Sequence, residues 1–287
     1  MTAPLPGPPE WARLVTASKV AGILGLSPWD SPYSTWCVMK GIIPVAGENR
    51  HMQRGNMLEN AVLDWWLVDH PEHTEKARQV WSPLFDWGGA TPDLHVTGPG
   101  GALELVDAKT TSSDDGWQDG PPPYYLASSL WQLVCEPDAE RVHLAVLFGK
   151  PFDLRTYTVE RDEEVMAAIV ARCKEFHDSL ASDTPPDLDD HVATYEAIRA
   201  QHPDIDRDLS VEIDRATAHE YVTADLAVKA AEARARAAKA RLLDLMGKAR
   251  LSTLDGATVA RRQPNRDAVN LVRVAKHIDP PTEGEQA

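Results

Sequence analysis

Helical spacing and strand alternation take turns along this chain. Residues 1–10 hold four prolines and a glycine and predict a loose tail. In TASKVAGILGLSP the apolar run after a cap-type Ser18 predicts a short helix broken at Ser27-Pro28, and SPYSTWCVMKG predicts a second ending on Gly41. MLENAVLDWWLVD, residues 57–69, has helical periodicity and is closed by Pro71. Residues 79–109 read as strands, with TGPGG at 97–101 the turn of an antiparallel pair. A helix over 124–135 follows, then two strands in RVHLAVLFGKPFDLRTYTVE joined near Gly149-Lys150-Pro151. RDEEVMAAIVARCKEFHDSLA is a helix whose acidic first turn suits its dipole. SDTPPDLDD at 182–190 marks a boundary. Beyond it lies a long alanine-rich helix, with Thr217 and Glu220 at capping-box spacing and Gly247 as its stop. Asp255-Gly256 between alternating segments signals a hairpin.

This order predicts an α/β fold, a central mixed sheet flanked by helices, followed by a helical arm and β-hairpin. The expected domains are 11–195 and 205–276, with loose tails at 1–10 and 277–287. A chain of 287 residues, 43% hydrophobic, buries a sizeable core. No apolar run is long enough for a membrane span, and the first residues lack a secretory pattern. Cys37, Cys135 and Cys173 are scattered and odd in number, which suits neither a disulfide framework nor a zinc ribbon nor a four-thiolate cluster. A reduced cytoplasmic setting is the expectation.

The net charge of −15 argues against a nucleic-acid partner, but its distribution changes that picture. Residues 1–228 carry 17 basic against 37 acidic side chains, while 229–276 carry 12 against 4. A basic segment follows an acidic body.

The chemistry concentrates in GALELVDAKTT, residues 101–111. On a strand Asp107 and Lys109 share a face, whereas Glu104 points to the other. Pro92-Asp93 lies fourteen residues before Asp107, and a hairpin through TGPGG brings the two carboxylates together. Two carboxylates this close repel unless a cation sits between them; a hard divalent ion with oxygen ligands removes the conflict. Lys109 can then hold a water or meet charge developing on a phosphate. His95 shares a face with Asp93, and Glu59 is a lone acid in an apolar helix stretch that asks for a partner.

With these residues, the chain resembles the YqaJ and lambda-exonuclease group of phage recombination nucleases in the PD-(D/E)xK superfamily. The matching segments are TASKVAGILGLSP, RGNMLE, TPD, DAKT, YYLASSLWQL and VERDEEVM, in that order. The resemblance implies a DNA exonuclease acting from duplex ends, 5′ to 3′, with Mg²⁺ or in its place Mn²⁺. It implies Glu59, Asp93 and Asp107 as metal ligands with the Ala108 carbonyl, and Lys109 as the catalytic lysine. It implies Ser18 near the 5′-phosphate, assisted by Arg13 or Arg54. It also implies a single-strand annealing protein as partner, a homo-oligomer, and action in the cytoplasm of a bacterial host. Where the family carries glutamines two apart on the helix after the catalytic strand, this chain has Ser128 and Leu130, and only Gln132 remains. Tyr125 and Gln132 share a helix face and are expected to line the site. Trp117 is the candidate DNA-facing loop aromatic. The competing readings are an endonuclease or repair nuclease of the same superfamily, and a non-catalytic acidic protein that mimics DNA or inhibits a nuclease.

Overall fold

A computed structural model describes residues 9–45, 47–265, 268–275 and 277–279. The tails expected at 1–10 and 277–287 therefore lie mostly outside the described residues. The chain divides into two compact units between Ile205 and Asp206.

The first unit runs α1 (Pro9–Ala12), β1 (Val15–Thr16), α2 (Ala17–Ile23), α3 (Pro32–Lys40), α4 (Arg50–Asp69), β2 (Thr74–Arg78), β3 (Ser82–Phe85), β4 (Gly88–Ala90), β5 (Leu94–Thr97), β6 (Leu103–Thr111), α5 (Pro123–Cys135), β7 (Ala139–Gly149), β8 (Phe152–Glu160), α6 (Glu163–Ser182) and α7 (Val192–Gln201). Its main sheet has the order β2-β5-β6-β7-β8. Only β6 and β7 are parallel; the other pairs are antiparallel, so the sheet is mixed. A small sheet β1-β4-β3 stands beside it. The α/β expectation holds.

Two apolar layers sandwich the main sheet. On one face Val62, Leu63 and Trp66 of α4 pack on Leu94, Val96, Val106 and Ala145. On the other, Leu130, Trp131 and Leu133 of α5 join Leu105, Leu144, Val146 and Phe148. Each fully buried Leu or Val side chain contributes roughly 1.5–3 kcal/mol of hydrophobic stabilisation. Both faces of β6 are thus covered, which places its polar side chains under helices rather than in solvent.

Local details depart from the sequence expectation for physical reasons. Helix α2 begins at Ala17, with Thr16 rather than Ser18 in the position before it and no side-chain capping bond. Helix α4 begins at Arg50, seven residues before the apolar pattern, because Asn49 accepts hydrogen bonds from the His51 and Met52 amides. Its first turns are exposed and carry no hydrophobic signal. Helix α7 has no counterpart in the sequence reading. It is short, and tertiary contacts hold it: Thr194 bonds Ser31 and Gln201 bonds the Tyr33 hydroxyl. The boundary expected at 195 falls inside this helix.

The second unit holds α8 (Arg215–Met246) and a sheet of β9 (Leu251–Leu254), β10 (Ala257–Asn265) and β11 (Ala268–Arg273). Asp214 caps α8 through the Ala216 and Thr217 amides, in place of the expected Thr217–Glu220 box. Asp255 and Gly256 both have positive φ, 49° and 82°, as a two-residue hairpin turn requires. The hairpin gains a third strand, β11, that the sequence did not signal.

Candidate active site

The site is built where β5 and β6 pair. Leu94 lies opposite Val106. Asp93, one residue before β5, comes close to Asp107, and its Oδ2 accepts a hydrogen bond from the Ala108 amide at 2.8 Å. Asp107 is buried at 4% exposure beneath α5. Gln132 Nε2 donates to its Oδ1 at 2.9 Å, and the Lys109 ammonium pairs with its Oδ2. Lys109 also donates to the Ala108 carbonyl at 3.2 Å and lies 5.8 Å from the centre of the Tyr125 ring. Tyr125 and Gln132 thus both face the Asp107–Lys109 pair.

Glu59 enters from α4. Its Oε1 accepts from Gln79 Nε2, and the Gln79 amide donates to the Asp93 carbonyl at 3.1 Å. Gln79 therefore ties the helix acid to the strand acid. It has φ 50°, a left-handed backbone unusual for a side-chain-bearing residue. Nothing in the sequence marks it; a glutamine between two short strands looks like any exposed polar residue.

The electrostatics follow from this crowding. Burial, and then the neighbouring Asp107 carboxylate, push the Asp93 carboxyl up to about 8, against the pull of Lys109 and the Ala108 amide. Burial alone would pull Lys109 down, but Asp107 and Asp93 outweigh it and hold its pKa above the usual lysine value. Asp107 Oδ2 has no hydrogen-bond partner besides its ion pair, and Gln132 Oε1 is buried without one. Two close carboxylates, one inclined to keep its proton, and a nearby carbonyl are the oxygen donors that suit a hard divalent cation. Glu59, Asp93 and Asp107 do not draw one ligand atom each within 4.8 Å of one another; among the described residues only His73, Glu104 and His143 do so.

That second group belongs to the opposite face of β6. Glu104 is buried and its Oε2 meets His143 Nε2 at 2.6 Å and His73 Nε2 at 3.0 Å. Burial alone would raise the Glu104 carboxyl; the two histidines override it and keep it below its usual value. Both histidines meet the same carboxylate oxygen, and Arg141 lies 3.8 Å from the other. Glu104 is thus out of phase with Lys109, as strand alternation demands.

The remaining expected residues are dispersed. Ser18 is exposed, with its Oγ 3.0 Å from Thr16 Oγ1. Arg13 lines a cavity with Lys40 and His177. Arg54 is exposed on α4 and lies 3.5 Å from His51 Nδ1. Among the described residues no bond joins these three to the acids. His95 is taken up by Glu136, at 2.8 Å, and is a core pair. Trp117 is not a DNA-facing aromatic: at 6% exposure it packs among Tyr125, Phe148 and Tyr157. Leu130 is buried in the core, so of the helix face after β6 it is Gln132 that reaches the acids.

The site thus sets Pro92-Asp93, just before β5, beside Asp107-Ala108-Lys109 of β6 in a mixed sheet covered by helices. Residues 11–138 match the model of the YqaJ-like viral recombinase domain. No curated protein matches the chain significantly. Among solved structures the chain is similar to the alkaline exonuclease LHK-Exo of Laribacter hongkongensis, with 20% identity and a TM-score of 0.48 over 61% of this chain and 92% of that one. The same protein in complex with dAMP matches with the same identity and score, over 61% and 90%. A phage-related exonuclease from Haemophilus somnus 129PT matches at 14% identity and TM-score 0.44, over 59% and 96%. Among the described residues no helix is long and apolar enough to cross a membrane.

Proposed function

We propose that this chain is a metal-dependent deoxyribonuclease that hydrolyses phosphodiester bonds from duplex DNA ends, 5′ to 3′, in phage-type recombination. The observation that carries the reading is the opposition of Asp93 and Asp107 with Lys109 between Asp107 and the Ala108 carbonyl. A decoy or inhibitor has no use for a lysine in phase with buried acids. Glu59, Asp93, Asp107 and the Ala108 carbonyl would hold Mg²⁺, or Mn²⁺ in its place. The cation, when bound, supplies positive charge to the scissile phosphate and makes a water a better nucleophile. Lys109 places a second positive charge at the same point, where negative charge grows in the transition state. Gln132 fixes the Asp107 carboxylate by its 2.9 Å hydrogen bond, and Gln79 fixes Glu59. Ser18, with Arg13 or Arg54, is assigned to the 5′-phosphate. The reading brings with it a single-strand annealing protein as partner, a homo-oligomeric state and a bacterial cytoplasmic setting.

The test compares linear and circular duplex DNA, with Mg²⁺ and with EDTA. Loss of the linear substrate alone, only with Mg²⁺, supports the exonuclease; cleavage of the closed circle makes it an endonuclease. Labelling either strand end fixes the polarity. Lys109→Ala should bind DNA as before but lose single-turnover rate by several orders of magnitude, and Lys109→Arg should not restore it, since a planar fork is no substitute for a point charge. A Lys109→Ala protein that hydrolyses at the normal rate would remove the assignment.

A further inference from the structure

The acidic first unit leaves open how DNA would be held. The second unit contains a groove of about 490 Å³ lined by Lys248, Ala249, Arg250, Arg261, Arg262, Gln263 and Pro264. Among the described residues that line it, four of seven are cations and none is an acid. Lys248, Arg250 and Arg261 are exposed, and among the described residues none of them forms an ion pair. Arg262 is different: its guanidinium donates to the Gly247 carbonyl at the end of α8, and its amide donates to the Arg250 carbonyl at 2.8 Å. It braces the segment between helix and sheet, so that Lys248 and Arg250 stay on the same rim as Arg261.

The long helix is a weaker cation source than its composition suggests. Lys229 is paired with Asp225 at 2.6 Å, and Arg236 lies 3.7 Å from Glu232. Arg234, Lys239 and Arg241 are exposed along α8 without an ion pair among the described residues, whereas Lys248, Arg250 and Arg261 line one groove together. Like charges lining one groove repel; the phosphates of a polyanion would neutralise them and release their own condensed counterions. From residue 222 to the end the sequence contains no Phe, Trp or Tyr. The groove thus offers no platform for base stacking, which single-strand binders use. What it can contact is phosphate.

The geometry points to the Lys248–Arg250–Arg261 groove as a second DNA-binding site, one that grips the phosphate backbone of a duplex without reading its sequence. The inference rests on the nuclease reading for its choice of DNA. Arg262 is the positioning residue; the other three are the contacts.

The experiment measures binding of the full chain to a labelled 20-bp duplex by fluorescence anisotropy, in EDTA, between 50 and 200 mM KCl. Each phosphate contact contributes roughly 0.9 to the slope of log K against log salt, so Lys248→Ala/Arg250→Ala/Arg261→Ala should flatten the slope by about 2.7 and weaken binding at least about tenfold at 100 mM. Arg250→Lys/Arg261→Lys keeps the charge and should keep the slope. Unchanged affinity and slope in the triple variant would overturn the site, as would an equal loss in the charge-keeping variant. A wild-type preference for a single strand of the same length would overturn the duplex assignment. Parallel hydrolysis of the same duplex with Mg²⁺ separates the two readings. A wild type that binds through the groove but cuts nothing removes the nuclease and leaves the groove. One that cuts, and whose groove variants bind as it does, removes the groove alone.

Discussion

Replacing Asp93 by Asn tests the carboxylate conflict directly. The Asp93 carboxyl has an ordinary value of 3.8 and is pushed up to about 8 by burial and by Asp107. The folded protein therefore keeps a proton that the unfolded chain releases from about pH 4 upward. Fewer protons on the unfolded state mean that stability falls as pH rises through this window and levels off above pH 8. Each pKa step is worth about 1.4 kcal/mol, so the full gap is on the order of 5 kcal/mol, reduced to about 2–4 kcal/mol by solvent at the rim of the site. Asparagine has no proton to lose, yet its carbonyl can still accept from the Ala108 amide. The metal-free variant should match the wild type near pH 4 and exceed it by about 2–4 kcal/mol at pH 8. All nine tryptophans precede residue 205, so urea unfolding followed by tryptophan fluorescence reports on this unit alone. Adding millimolar Mg²⁺ should stabilise the wild type at pH 8 and leave Asp93→Asn nearly unmoved. Parallel pH profiles for the two proteins in EDTA would refute the reasoning, because Asp93 would then carry no raised proton affinity.

Two further substitutions test what holds the site. Gln132→Ala removes the donor to Asp107 Oδ1 and leaves a buried carboxylate oxygen bare, at a cost of about 1–3 kcal/mol; Mg²⁺ titration monitored by the same fluorescence should show weaker binding, and an unaltered midpoint would mean that Gln132 does not orient the acid. Gly98→Ala probes the opposite face: a Cβ there would lie 2.6 Å from Glu104 Oε1, on a carboxylate already pinned by His143 and His73. Overpacking of this kind costs about 1–3 kcal/mol, and a variant that unfolds at the wild-type urea concentration would show that Glu104 is free to move.

Strand alternation was enough to separate Glu104 from Asp107 and to put Lys109 with the latter, because the period of two is a property of the backbone itself. The left-handed turn at Asp255-Gly256 and the stop at Gly41 were equally local, set by which residues tolerate positive φ. Gln132 and Tyr125 were legible from helix phase. Other features needed distant partners. Gln79 reaches Glu59 only because β2 and α4 lie side by side, and no local pattern encodes that. Trp117 sits in a polar loop but fills an aromatic cluster assembled from α5, β7 and β8. Helix α7 is held by Ser31 and Tyr33, more than 150 residues away in the chain. The dispersion of the unpaired cations was decided the same way. The pairing of Lys229 with Asp225 is a local i,i+4 contact, but the fold of β10 back onto the end of α8 is what gathers Lys248, Arg250 and Arg261 around one groove. The sequence determines periodicity, turn chemistry, charge and the ion pairs one helical turn apart; which cations come together in one groove depends on neighbours that only chain closure supplies.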